Sequence, residues 1–299
     1  MAIALIASLR PKQWTKNLLV FAGYLFTIEQ KHPDLTWLRV AAAFGLFCAI
    51  SGAGYIFNDA LDAERDRQHP TKRNRPIASG RVTVPAALVF AALLTVGALA
   101  GSFWLDVYFG ALVSAYLLLT LAYSTTLKHV VIVDVLAVTA GFVIRAVAGA
   151  VVVSAIDPVT GVAQRVEISP WLLVCTTLLA LFLASAKRRA ELSLNDGARH
   201  RRTLDEYTAP LLDQMINVAA AACLMGYFLY TFMPASKTGA THPHIMITIP
   251  FVVYGLFRYL YLIHTRNAGG SPEQLLLEDK PLLINVMLYV IAVVVAFKW

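Results

Sequence analysis

A chain of 299 residues with 58% hydrophobic and 14% charged residues, and a mean hydropathy of +0.65, carries too little polar surface for a water-soluble globule. Its 25 Lys and Arg against 18 Asp and Glu leave a net charge of +7, yet no nucleic-acid-binding motif accompanies that charge. Three scattered Cys (48, 175 and 223) without a C-x-x-C pair exclude a disulfide framework and a thiolate zinc site, and read as small buried residues.

Window hydropathy predicts an all-α membrane protein of about nine transmembrane helices, at 16–28, 37–57, 82–104, 107–126, 133–156, 171–186, 211–233, 245–264 and 282–298. Arg10, Lys12 and Lys16 interrupt any early apolar core, so the start is a poor signal peptide. With the N-terminus inside, 18 basic residues fall on inner segments and 5 on outer ones, with Arg145 and Arg258 within spans. The positive-inside rule then faces the loops after the second and sixth spans to the cytoplasm, as expected for a multi-pass protein of the plasma membrane. All five Trp lie at predicted span ends, where an aromatic belt belongs. No linker divides the chain, so 1–299 reads as one transmembrane domain. Association of copies into a homo-oligomer is compatible with the sequence and unspecified by it.

The second span runs out into Asn58-Asp59-Ala60-Leu61-Asp62-Ala63-Glu64-Arg65-Asp66. Asn58, Asp62 and Asp66 recur every four residues, and on a continuing helix they share one face. Carboxylates so placed repel one another unless a cation sits among them. Hard oxygen ligands suit Mg²⁺, which takes one or two protein carboxylates and completes its shell with water and phosphate. The plainer reading is a solvated, charged helix end.

Lys72, Arg73 and Arg75 follow within a few residues and can meet phosphate charge that a metal leaves over. The next inner turn runs from Tyr123 to Lys128. Asp134 opens the fifth span, and Arg145 lies eleven residues on, about three helical turns, on the same face. Ionisable groups at membrane depth face a pocket or a partner, so an ion pair and a substrate site both stay open for these two. The sixth span ends in Lys187-Arg188-Arg189-Ala190-Glu191. Glu191 can pair with Lys187 at i,i+4, or the basic run can form a second phosphate-binding corner. His242-x-His244 sits in a predicted outer loop, where a plain loop is the ordinary reading. The whole is a bundle around a central cavity open at the cytoplasmic side, with one acidic corner and several basic ones.

The sequence resembles the UbiA superfamily of intramembrane prenyltransferases. The resemblance rests on Arg10-Pro11-x-x-Trp14-x-Lys16-Asn17, the N-D-x-x-D-x-x-x-D run at Asn58–Asp66, Arg75-Pro76-Ile77-x-x-Gly80, and Tyr123-x-x-x-x-Lys128. It implies nine helices around a laterally open cavity in which Mg²⁺ binds a diphosphate. The metal set it implies is Asn58, Asp59, Asp62 and Asp66. Asp62, Asp66, Lys16 and Lys128 are the expected catalytic residues. Lys16, Arg75, Tyr123, Lys128, Asp134, Arg145, Lys187 and Arg188 are the expected substrate-binding residues. Prenyl-diphosphate users of the superfamily carry a second Asp-rich motif after the sixth span. Here Lys187-Arg188-Arg189-Ala190-Glu191 stands there, with Asp196 further along.

That departure, with the Arg-Pro-Lys-Gln-Trp-Thr-Lys-Asn start, resembles the branch that transfers phosphoribose in actinobacterial cell-wall arabinan (arabinogalactan) synthesis. The implied donor is 5-phosphoribosyl-1-diphosphate and the implied acceptor decaprenyl or another polyprenyl phosphate, with Lys187 and Arg188 expected at the donor's 5-phosphate. The alternatives are an aromatic, quinone- or haem-type prenyltransferase using a prenyl diphosphate, and a transporter for an anionic lipid.

Overall fold

The computed structural model describes residues 2–68, 72–157, 160–193, 202–232, 243–266, 270 and 272–298. Asp196, His242 and Trp299 of the sequence reading lie outside them, as do Arg199, Arg201 and Lys237 of its inner and outer basic residues.

Among the described residues, eight helices are long and apolar enough to cross a membrane. They are α3 (Thr36–Leu61), α5 (Val84–Leu105), α6 (Val107–Thr125), α7 (Val133–Val151), α8 (Pro170–Ser193), α10 (Ala209–Phe232), α11 (Ile249–Arg266, entered through a 3₁₀ segment, Pro243–Thr248) and α13 (Lys280–Lys298). Short helices α1 (Ala2–Ser8) and α2 (Ala22–Leu25) precede them, and α4 (Ala63–Arg67), α9 (Arg202–Asp205) and α12 (Pro272–Glu278) sit between them. Such helices satisfy every backbone group internally, which a lipid surround demands.

The first predicted span takes a different form. Pro11–Phe21 is an eleven-residue 3₁₀ helix, continued by the single α-turn of α2. At about 2.0 Å rise per residue the 3₁₀ stretch covers roughly 22 Å, and α2 adds roughly 6 Å. A segment too short to cross as an α-helix thereby reaches nearly the ~30 Å of a hydrocarbon core. It lies flush on α7 because Gly149 is there: a Cβ at that position would stand 2.0 Å from the carbonyl oxygen of Val20. Close backbone approach over small residues is how helices associate where lipid removes the hydrophobic drive.

The fifth predicted span also ends early. After α7 the chain forms an antiparallel hairpin, β1 (Ser154–Ile156) with β2 (Ala163–Arg165), in which Ser154 faces Arg165. Gly161 supplies the positive φ of its turn (68°). Arg165 bonds Asp106, whose carboxylate also caps α6 through the amides of Tyr108 and Phe109. The Ile156 amide donates to the Lys31 carbonyl at 2.7 Å.

Helices adjacent in sequence are adjacent in space: α3 packs on α5, α5 on α6, α6 on α7, α7 on α8, α8 on α10 and α11 on α13. The 3₁₀ segment lies against α3 and α7 and also meets α12, which closes the ring. One apolar core, with Phe47, Phe109 and Tyr116, holds α3, α6 and α7 together. Another, with Phe182, Ile216 and Leu262, holds α8, α10 and α11. Between them lies a cavity of about 1960 Å³.

Candidate active site

The acidic cluster sits where α3 ends. Asp62 leaves ideal helical geometry at φ −94° and ψ 6°, but its amide still bonds the Asn58 carbonyl (3.0 Å), and the Asp66 amide bonds the Asp62 carbonyl (2.9 Å). The four-residue period therefore carries across the break into α4. The three aspartates meet different surroundings. Asp59 is 2% exposed and accepts from both Arg10 and Arg75, the latter at 3.0 Å. Asp66, also buried, accepts from the same Arg75 nitrogen at 2.7 Å. The Asp62 side chain is 25% exposed, accepts from the Asn58 amide at 3.2 Å, and lies 3.8 Å from Lys128 Nζ.

Arg10 reaches Asp59 from the left-handed region (φ 52°), an uncommon backbone state for a bulky residue before Pro, and its guanidinium lies over the Tyr55 ring. Lys128 is buried, and its carbonyl accepts from Thr203 Oγ1 at 2.8 Å, which ties the Tyr123–Lys128 turn to α9.

Among the described residues, no three His, Cys, Asp or Glu side chains converge as a ready-made metal cage. Mg²⁺ does not require one, since substrate phosphate and water complete its shell. Asn58, Asp62 and Asp66 supply a hard oxygen set on successive turns that fits this ion. The Asp59 carboxylate is instead committed to two guanidiniums.

A second corner joins α6, α7 and α8. Asp134 and Arg188 are 1% and 3% exposed. Arg188 donates to Asp134, to Glu191 and, at 2.7 Å, to the Tyr123 hydroxyl. Tyr207 donates to the other Asp134 oxygen at 2.8 Å and accepts from the Ile132 amide at 2.7 Å. Burial pushes the Tyr207 phenol up to about 12, so the donor keeps its proton at neutral pH. Asp134 thus pairs across helices with Arg188, and Arg145 has other partners.

Arg145, 5% exposed, donates to Asn17 Oδ1 (2.8 Å), the Gly141 carbonyl (3.1 Å) and the Tyr116 hydroxyl (2.6 Å), and lies over the Tyr116 ring. Asn17 in turn donates to Ser51 Oγ at 3.2 Å. One guanidinium so joins the 3₁₀ segment, α3, α6 and α7.

Lys16 and Lys187 form the third group. Both line the cavity, and Lys187 lies near enough to Lys16 to be repelled by its charge. Lys16 also donates to Gln13. The sequence placed Lys187 and Arg188 together, but adjacent residues on a helix point about 100° apart. Lys187 turns to the cavity and Arg188 to Asp134.

Of the residues singled out from the sequence, Asn58, Asp59, Asp62, Asp66, Arg75 and Lys128 meet in one cluster; Tyr123, Asp134 and Arg188 in another; Lys16 and Lys187 at the cavity; and Arg145 stands apart. Arg10 and Asn17 belonged to a recognised motif without an assigned task. Tyr116 and Tyr207 carried no sequence signal.

The profile of the UbiA prenyltransferase family matches residues 17–277. Decaprenyl-phosphate phosphoribosyltransferase of Corynebacterium glutamicum is 36% identical over 302 aligned residues, covering 99% of this chain and 87% of that one. The enzyme of the same name from Mycolicibacterium smegmatis is 36% identical over 300, covering 96% and 90%. The solved structure of a UbiA homolog from Archaeoglobus fulgidus bound to GPP and Mg²⁺ aligns with a TM-score of 0.69 at 15% identity, over 99% of this chain and 100% of that one; the likeness is one of fold.

Proposed function

The chain belongs to the UbiA prenyltransferase family of multi-pass membrane proteins, and from that premise we propose that, as one transferase domain over 1–299, it moves 5-phosphoribose from 5-phosphoribosyl-1-diphosphate to a polyprenyl phosphate. The observation that carries the proposal is the likeness, over nearly all of this chain, to two proteins named decaprenyl-phosphate phosphoribosyltransferase.

The charges agree with it. A prenyl-diphosphate site of the type implied by the sequence would need a second free carboxylate cluster near the end of α8. Among the described residues, the acids beside Arg188 there, Asp134 and Glu191, both accept from it. In the proposed reaction the bond from ribose C1 to the diphosphate oxygen breaks, and a phosphate oxygen of the lipid bonds C1. The acceptor is already anionic near neutral pH, so no side chain needs to remove a proton. Lys128 and Arg75 are placed to offset the negative charge that develops on the departing diphosphate. When bound, Mg²⁺ adds Lewis-acid neutralisation of that diphosphate, and Asn58, Asp62 and Asp66 would hold it. Asp59, through Arg10 and Arg75, fixes the cluster in place.

Purified protein with phosphoribosyl diphosphate, Mg²⁺ and a polyprenyl phosphate should yield the phosphoribosylated lipid by mass spectrometry, together with free diphosphate. Wild type that ignores this donor and instead prenylates an aromatic acid would refute the proposal.

The same reading places the acidic cluster in the cytoplasm, at the inner face of the plasma membrane. In a Cys-free background, Ser79→Cys should react with an impermeant maleimide only from the cytoplasmic side, and Thr160→Cys, in the hairpin turn, only from outside. Both positions are exposed. The reverse pattern would invert the topology.

A further inference from the structure

We propose that Thr203 and Tyr207 are positioning residues for transfer: they hold the turn that carries Lys128 in a strained backbone form, and so fix the Lys128 ammonium beside Asp62, where the diphosphate departs. The role rests on the phosphoribosyl transfer proposed above, and it belongs to side chains that act through another residue.

Lys128 sits in a single 3₁₀ turn, Leu127–His129, between α6 and α7. Its charge rides on a long flexible stem, so its aim depends on a fixed backbone. Apolar packing gives only part of that, since Val130 and Ile132, which follow, are 48% and 50% exposed. The rest comes from α9 and the residues just after it. Buried Thr203 donates from Oγ1 to the Lys128 carbonyl at 2.8 Å. Buried Tyr207 accepts from the Ile132 amide at 2.7 Å and donates to Asp134 at 2.8 Å. Its ring shares one core with Val135 of α7, Ala184 of α8 and Leu212 of α10, and Val131 packs against that core. Three membrane helices thus hold the phenol that holds the turn.

Ile132 shows that the turn is held under strain. It has φ 67° and ψ −44°, and the Val133 amide bonds the Val131 carbonyl across it at 2.7 Å. That is the rare, strained form of the three-residue turn, and a β-branched residue with positive φ is an outlier. Such a state persists only where its surroundings over-determine it. Here the fixed phenol oxygen takes the Ile132 amide, and α7 starts abruptly at Val133. Among the described residues, three non-glycine residues have positive φ: Arg10, Leu35 and Ile132. Two of them shape backbone that brings a cation to the acidic cluster, Arg10 itself to Asp59 and Ile132 through the Lys128 turn. A charge that stabilises a leaving group works only in the right place: a displacement of about 1 Å can cost on the order of 10²-fold in rate.

The test uses the purified full-length protein with Mg²⁺, assayed well below each variant's thermal midpoint so that lost stability does not enter the rate. Thr203→Val removes the hydroxyl and leaves Asp134 with its partners; Thr203→Ser keeps the hydroxyl. Thr203→Val and Tyr207→Phe should each lower kcat about tenfold with both KM values within about twofold, and Thr203→Ser should stay near wild type. In a Lys128→Met background, itself slower by about 10²-fold, Thr203→Val should change kcat by less than about twofold, because the charge to be positioned is gone. Equal losses in both backgrounds, or a loss that falls on KM, would overturn the proposal. Hydrogen exchange on the same proteins without substrate gives a second readout. The bond lost in Thr203→Val ends on a carbonyl, so faster exchange at the amides of His129 and Val130, with those of α3 unchanged, reports the turn loosening as a whole. Unchanged exchange there would show that Thr203 does not hold the turn and would overturn the proposal by itself. Wild type that transfers no phosphoribose would refute the proposed donor instead, and the exchange result would still decide whether Thr203 holds the Lys128 turn.

Discussion

Replacing Asp62 by Asn should lower the rate of transfer by roughly 10²–10³-fold while the protein still folds into the membrane. Among the described residues, Asp62 is the one aspartate of the cluster that is bonded to no guanidinium: its contacts are a neutral amide from Asn58 and Lys128 at 3.8 Å. The substitution removes one negative charge with almost no change of shape, and the ion pair it breaks, with the buried Lys128, is a long one at 3.8 Å. Folding should hardly register it; catalysis should. Asp59→Asn is the control with the opposite profile. It deprives Arg10 and Arg75 of a shared buried partner, so protein yield and thermal stability should fall along with activity. Chelation by EDTA should stop the wild type and Mg²⁺ should restore it. Full activity of Asp62→Asn at low Mg²⁺ would remove Asp62 from the reaction.

Much of the architecture is legible in the sequence because a bilayer leaves few options. Every apolar run of sufficient length must be a helix, so the spans from Trp37 onward fall close to their predicted places. The first span is the exception. Hydropathy measures how apolar a segment is and is blind to whether it winds as α or 3₁₀, and the choice here depends on the fit of Val20 against Gly149, far along the chain. The site divides in the same manner. The spacing of Asn58, Asp62 and Asp66 is local and survives the break at the end of α3. The partnerships are not local. Arg10 finds Asp59 across 49 positions, Tyr207 finds Asp134 across 73, and Arg145 finds Asn17 across 128. No periodicity encodes those distances. Lys187 and Arg188 show how little adjacency means on a helix: one residue's rotation gives one side chain a cavity and the other an ion network.

That ion network should bear much of the stability of the end of the bundle that holds the acidic cluster. Asp134→Asn should cost about 3–5 kcal/mol, because it strands the Arg188 guanidinium, 3% exposed, without its most buried counter-charge. The loss should appear as a clear drop in the thermal midpoint of the purified protein in detergent. Tyr207→Phe, which removes one hydrogen bond to the same carboxylate, should cost about 1–2 kcal/mol. The double variant Asp134→Asn with Arg188→Met should recover much of the Asp134→Asn loss, since a buried apolar side chain is less costly than an unpaired buried charge. Lys187→Gln, one position from Arg188 but facing the cavity, should barely move the midpoint. The contrast separates structure from binding at two consecutive residues. If Asp134→Asn melted like wild type and raised only the donor KM, the network would be part of the substrate site after all, and Arg188 would bind phosphate in the way the basic run of the sequence first implied.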